Sequence, residues 1–271
     1  MLTVIKGAGD LASGIALRLH HAGFDIVMTE IPVPLAVRRT VSFSQAVYDG
    51  RTQVEDIAAV LVRNNNEIQR ALAQRQIAVL VDPAAAIVER IRPAALVDGI
   101  MAKRNTGTAI NDAPVVIGIG PGFTAGIDCH AVIETKRGHT LGRVIVDGIA
   151  LPNTGVPGEI GGFTVERLLR ADADGIFESL VEIGDRVQKG DTVAQVHADG
   201  RTCPIHAETG GIVRGLLPCG VHVTKGMKAG DIDPRCERSH CYTVSDKALA
   251  IGGGVLEALL RFSREASPQT A

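Results

Sequence analysis

Apolar positions along this chain come in short unbroken runs separated by stretches of helical period. Leu2-Thr3-Val4-Ile5 reads as a buried strand, broken by Gly7-Ala8-Gly9. Leu11, Ile15 and Leu19 then recur every four residues with Ala12 and Ala16 beside them, which predicts an amphipathic helix. Gly23 stands where a glycine ends a helix, and Phe24 to Thr29 forms the next strand, closing at Glu30. The alternation continues with a helix over Glu67–Gln76, a strand over Ile77–Val81, a helix over Ala84–Ile91, and strands over Ala95–Ile100 and Val115–Ile119. Apolar strands alternating with helices predict an α/β fold, a Rossmann-like parallel sheet clothed by helices on both faces. Such sheets bind ligands beyond the C-terminal ends of their strands.

After about residue 130 the texture changes. Ala131–Thr135 and Arg143–Val146 suggest a hairpin around Lys136-Arg137-Gly138-His139. From Asp174 onward, short β segments are punctuated by glycine, which predicts an all-β module. Its turns, Ile183-Gly-Asp-Arg-Val-Gln-Lys-Gly190 and Gly220-Val-His-Val-Thr-Lys-Gly226, resemble those of the small barrel-sandwich found in biotinyl and lipoyl domains. The hairpin tip that would carry the modified lysine reads His206-Ala-Glu-Thr-Gly210, so no biotin or lipoate is expected. A helix capped by Ser245 runs from Asp246 to about Phe262. The expected division is a Rossmann-like nucleotide-binding domain with a trailing hairpin over 1–165, a barrel-sandwich over 166–240, and a helix over 241–271 that packs back on the first domain.

Composition narrows the function. A formal charge of −2 over 271 residues gives no basic field for nucleic acid or an anionic membrane. The longest charge-free stretch, Ala113–Ile127, is interrupted by Pro114, Pro121 and four glycines, and no apolar secretory region opens the chain. Five scattered cysteines argue against a disulfide framework and for a reducing compartment, so a cytoplasmic location is expected.

Gly7-Ala8-Gly9-Asp10-Leu11-Ala12 fits the G-x-G-x-x-A pattern between strand and helix. Glycines let backbone approach a phosphate, and the helix start offers unpaired N–H groups and partial positive charge. Glu30 stands where an acid would bind a ribose hydroxyl. Asp10 would repel a pyrophosphate, unless it caps the helix or meets a donor on the ligand. Polar runs in predicted loops add Arg38, Arg39, Lys103, Arg104, Asn105, Gly120, Gly122, Lys136 and Arg137, residue types suited to phosphate or carboxylate. Singly each run reads as solvated surface. The Lys103 and Gly120 runs follow strands and should share the rim of the glycine turn, so an anionic small-molecule ligand is expected there.

No catalytic constellation emerges. Asp128, Cys129, His130 and Glu134 form the densest reactive group, and packing explains them better than chemistry. Cys203-x-x-His206, Cys219-x-x-His222 and Cys236 with His240-Cys241 match no zinc spacing, and no metal site is expected.

Seven stretches carry a resemblance: Lys6–Gly14, Arg38–Ser44, Met101–Gly107, Gly120–Gly126, Val132–His139, Pro157–Gly162 and Thr243–Gly254. Together they resemble the YqeB family, accessory proteins of selenium-dependent molybdenum hydroxylase systems. The first domain is also similar in type to the Rossmann domain of XdhC-like maturation factors. The resemblance implies a maturation role toward a molybdenum hydroxylase partner, with a molybdopterin nucleotide as the bound cofactor, and no stand-alone catalysis. An NAD(P)-dependent oxidoreductase and a non-catalytic docking protein are the rival expectations; Glu30 favours NAD over NADP. A homo-oligomer stays open.

Overall fold

The computed structural model describes residues 1–152, 159, 162–198 and 200–265. The chain divides into two units. Met1–Pro34, Ser42–Thr154 and Val244–Ala271 make the first, while Leu35–Val41 and Gly155–Thr243 make the second.

The first unit holds strands β1 (Leu2–Lys6), β2 (Asp25–Glu30), β3 (Arg51–Val54), β4 (Ile57–Val62), β5 (Ile77–Val81) and β6 (Ala95–Asp98). It continues with β7 (Val115–Ile119), β8 (Thr124–Ala125), β9 (Ala131–Ile133), β10 (Val144–Ile145) and β11 (Gly148–Ile149). Its helices are α1 (Asp10–His21), α2 (Ala46–Asp49), α3 (Asn65–Ala73), α4 (Ile87–Ile91) and α5 (Asp246–Glu265). One nine-stranded sheet runs β10-β9-β7-β6-β1-β2-β5-β4-β3. The strands from β9 to β4 are parallel, with Val4 paired to Val27 on one side and Leu96 on the other. Edge strands β3 and β10 are antiparallel. The central strands are mostly apolar because helices or loops cover both faces, with charged residues such as Lys6, Glu30 and Asp98 at their ends.

The expected Rossmann-like parallel sheet with a barrel-sandwich is corrected here. A Rossmann order would seat β2 between β1 and β4; instead β5 lies between β2 and β4, and the sheet is mixed. No helix crosses from β6 to β7 or from β7 to β9. Their cover comes from α5, which packs on α1, β7, β9 and β10. Hydrophobic period reports local burial and carries no information on strand order, so the alternation was legible and the topology was not.

α1 and α5 are in backbone-close contact. A Cβ on Gly14 would fall 2.5 Å from the Ala248 Cβ and 2.9 Å from Val244, and one on Gly252 would fall 3.1 Å from the Gly14 carbonyl. Because contact advances from 244 to 252 as it advances from 14 to 18, the two helices run parallel and start at the same end.

The second unit contains β12 (Leu168–Arg170), β13 (Gly175–Ser179), β14 (Arg186–Val187), β15 (Thr192–Ala198), β16 (Arg201–His206), β17 (Gly211–Leu216), β18 (His222–Val223) and β19 (Lys228–Asp233). They form two separate antiparallel sheets, β12-β19-β17-β14 and β16-β15-β13-β18. Phe177, Val193, Val196, Val213, Leu216, Val223 and Ile232 fill the core. The His206–Gly210 tip expected to close a hairpin joins β16 to β17, which lie in different sheets and do not pair. The segment 35–41 is stitched into this unit: Leu216 N–H donates to the Val37 carbonyl at 2.8 Å. A buried ion pair, Arg167 to Asp231 at 2.8 Å, lies in its interior, and exposed Arg235 reaches buried Asp233 at 2.6 Å.

Candidate functional site

The site is built where the parallel strands of the first unit end. β1 hands the chain to the glycine turn, whose Gly7 N–H donates to the Thr29 carbonyl at 2.9 Å. Gly7 sits at φ +86°, and a Cβ there would meet the Ile100 backbone at 3.2 Å. Glycine is needed because the loop after β6 crosses against it. Gly9 caps α1 with no side-chain bond, and a Cβ on it would meet nothing within 4 Å. The turn is closed on one side and open on the other.

Beneath it lies a buried pair. Lys6 Nζ, at the end of β1, stands 3.5 Å from Asp98 Oδ2 at the end of β6. Thr108 bridges them, receiving the Lys6 ammonium at 2.7 Å and donating to Asp98 at 2.6 Å. This ties the far end of the loop after β6 to the sheet. Met101 and Lys103 in that loop are held at φ 62°, an uncommon conformation for residues with side chains. Gly122 shows why the neighbouring loop must be glycine-rich: at φ +113°, a Cβ would lie 2.6 Å from the Arg104 backbone. Gly120 likewise faces Thr135 and Met101.

The loop after β9 completes the rim. Glu134 is almost wholly buried, and its carboxylate accepts the N–H groups of Thr135, Lys136 and Leu151. Arg137 forks onto Asp246 at 2.7 and 3.1 Å, joining this loop to the first turn of α5. Gly7, Gly9, Asp10, Lys103, Arg104, Asn105, Gly120, Gly122, Lys136 and Arg137 thus come to one rim.

Several of the expected roles change. Asn105 is a brace: Oδ1 accepts from Gly107 and Thr108 N–H, and Nδ2 reaches the Thr108 carbonyl at 2.7 Å. Glu30 already holds the turn, accepting Ala8 N–H at 2.9 Å and Ile31 N–H at 2.8 Å. Burial pushes its carboxyl up, against the lowering pull of those two N–H groups. Arg38 and Arg39 belong to the second unit, where Arg38 donates to the His240 and Thr243 carbonyls and Arg39 to Leu216. They bond to chain carbonyls, which is why a run of arginines in sequence need not mark a ligand. Asp128 accepts Thr124 N–H and His130 Nδ1 accepts Val116 N–H, so these two are structural. Burial raises the Cys129 thiol to about 11, which leaves it unreactive. The Pro157–Gly162 stretch lies largely outside the described residues.

Sequence reading missed the Lys6–Thr108–Asp98 bridge. A lysine and an aspartate closing two otherwise apolar strands were the signal for it.

Fold and site together define a mixed-sheet α/β unit, with a cation-bearing rim at its strand ends, and a second, all-β unit. No protein-family model matches the chain. It is 52% identical over 259 residues to the uncharacterized protein YqeB of Escherichia coli (strain K12), a likeness covering 96% of this chain and 47% of that protein. The chain therefore spans about half the length of the curated relative it matches, and the likeness supports the YqeB family name. Among solved structures, an aspartoacylase family protein from Mesorhizobium loti matches with a TM-score of 0.28 and 9% identity, covering 85% of this chain and 84% of that one. A succinylglutamate desuccinylase from Silicibacter sp. TM1040 matches with a TM-score of 0.27 and 13% identity over the same shares. Both scores are too low to carry an argument about fold or chemistry. Among the described residues no helix is long and apolar enough to cross a membrane.

Proposed function

We propose that the rim of the first unit binds an anionic, nucleotide-type small molecule, and that the protein serves as an accessory factor for a molybdenum hydroxylase. The observation that supports the ligand class is the open approach at Gly9, flanked by exposed Lys103, Arg104 and Lys136 on loops packed against one another through Gly120 and Gly122. A helix start with free N–H groups and adjacent cations suits phosphate oxygens. The molybdenum role and a molybdopterin nucleotide as the ligand rest on the motif resemblance; the name of the YqeB relative states no activity. A cytoplasmic setting fits the five cysteines, all free.

Calorimetry of the purified protein with a molybdopterin nucleotide tests the reading. Binding is expected, with loss in Lys103→Ala and in Gly9→Asp. The latter places a carboxylate in the open approach at a position where aspartate caps helices well, so folding should survive. Binding unchanged in both variants would remove the site assignment. NADH, run in parallel, tests the NAD reading that Glu30 favours. Because both Glu30 oxygens already accept turn N–H groups, weaker binding of NADH is expected.

A further inference from the structure

The cations and the apolar side chains of the rim stand at opposite ends of it. In the strand order β9-β7-β6-β1-β2-β5, exposed Lys103 and Arg104 follow β6 and exposed Lys136 follows β9, all to one side of the glycine turn that ends β1. To the other side, Ile31 and Val33 follow β2, and Val81 ends β5 directly opposite Glu30 in register. These three apolar residues are 40%, 49% and 38% exposed. The strands are parallel, so all of these positions share one end of the sheet. A strand spacing of about 4.8 Å sets Val81 roughly 10 Å from the glycine turn.

Single apolar residues in solvent are ordinary. These three are grouped on adjacent strand ends, and two of them stand on a stiff loop. Pro32 and Pro34 fix two of its backbone angles, the Tyr48 hydroxyl donates to the Pro34 carbonyl at 2.7 Å, and Ile31 N–H donates to Glu30 at 2.8 Å. Ile31 and Val33 are therefore held out in place and lose little freedom on binding. The charge beside them is acidic: Glu30 precedes Ile31 and Asp82 follows Val81. An anionic group would be repelled there and drawn to the far end, so the β2–β5 end suits an uncharged group. The patch is a few side chains wide. A stable protein partner needs about 800 Å² a side, whereas a single ring would cover it.

We propose that Ile31, Val33 and Val81 seat an uncharged, flat heteroaromatic ring of the bound molecule, whose anionic part lies toward Lys103 and Lys136. The inference rests on the nucleotide-type reading of the rim and assigns each part of the ligand to an end of it. Gly9 stands between the two ends, and a Cβ there would meet nothing within 4 Å, so the ligand can cross the turn. An inorganic oxyanion alone would leave the apolar end in water. The faces of a ring would cover it, and the aliphatic side chains gain from that contact in proportion to the area they hide.

The test uses the full chain with two probes, a molybdopterin nucleotide followed by calorimetry and inorganic pyrophosphate followed by NMR. Ile31→Asn and Val33→Asn should each weaken nucleotide binding about fivefold or more, as expected for polar groups placed under a ring. Both should leave pyrophosphate binding unchanged, and Ile31→Leu should bind the nucleotide nearly as well as wild type. In wild type, the methyl signals of Ile31 and Val33 should move upfield on adding the nucleotide, because they lie against a ring face, and should stay in place with pyrophosphate. That readout needs no variant to fold. Wild type that binds the nucleotide with those methyl signals unmoved, or with both asparagine variants binding equally well, overturns this inference and leaves the nucleotide reading standing. Equal weakening of both probes in Ile31→Asn would show a structural role and also overturns it. Wild type that binds neither probe, or pyrophosphate alone, overturns both.

Discussion

Replacing Lys6 by methionine keeps most of the side chain's apolar stem and removes the charge that faces Asp98 together with the donation to Thr108. The partners are buried, with 4% and 1% of their surfaces exposed. At their 3.5 Å separation, unit charges attract by about 5 kcal/mol at the effective dielectric of about 20 that suits protein sites. The Thr108 hydroxyl and the Ile100 N–H would still donate to the orphaned carboxylate, so part of the charge stays solvated. Removing one partner of a buried pair costs about 3–5 kcal/mol, and the lower end is expected here. Asp98→Asn in the same chain removes the stranded charge and should recover more than half of the loss. Since the chain has no tryptophan, urea unfolding is best followed by far-ultraviolet circular dichroism. A loss below about 1 kcal/mol in Lys6→Met would be the behaviour of a surface pair. That result, or a double variant no better than the single one, would refute the bridge as a clamp on the loop that carries Lys103 and Arg104.

Four further outcomes follow from particular contacts. Gly14→Ala drives a methyl into Ala248 and should cost about 1–3 kcal/mol, with rescue by Ala248→Gly; thermal unfolding reads both. Gly253→Ala, one position beyond the contact ridge and with nothing within 4 Å of its Cβ, should instead stabilise by about 0.5–1 kcal/mol. In the second unit, burial works to raise the Asp233 carboxyl, yet the hydrogen bonds and charge of Arg235 and the charge of Arg214 hold it below the ordinary value. The stability this contributes is present above the unfolded value and is lost as pH falls through the lowered one. Arg235→Ala should therefore move the acid limb of the stability profile to higher pH, with about 1 kcal/mol lost at neutrality, since that arginine is partly exposed. Iodoacetamide should label exposed Cys219 rapidly and leave Cys129, raised to about 11, untouched until the chain unfolds; peptide mass spectrometry distinguishes them.

Local structure was largely legible, because burial on both faces writes itself as unbroken apolar runs. β5 and β7 occupy the expected residues, and α1 begins where the glycine turn predicts. The expected helix over Glu67–Gln76 starts two residues earlier, at Asn65, because Asn64 caps it by accepting Glu67 N–H while Glu67 accepts Arg63 N–H. What failed were relations between distant residues. The insertion of β5 between β2 and β4 leaves no local trace. The polar edge strand β3, Arg-Thr-Gln-Val, has no apolar alternation to announce it. Arg38 and Arg39 looked like ligand-binding forks because sequence shows their charge but not the carbonyls they meet. The rim itself could be placed from strand ends alone, whereas the packing of α5 on α1 depended on small residues at 14, 248 and 252.

The routing of the chain sets how the protein can be taken apart. The first unit is visited three times and the second twice, with 35–41 stitched beside Leu216 and α5 returning to lie along α1. A fragment spanning only 155–243 would leave a sheet missing the backbone partner of its Leu216 amide. A fragment ending before residue 244 would lose the helix that covers β7 and β9. Dissection should therefore join rather than cut: a short linker from about residue 152 to 244 keeps α5 with the rim, and a permuted second unit carries 35–41 along. Deletion series that ignore this routing would report lost binding when what they removed was a wall of the fold.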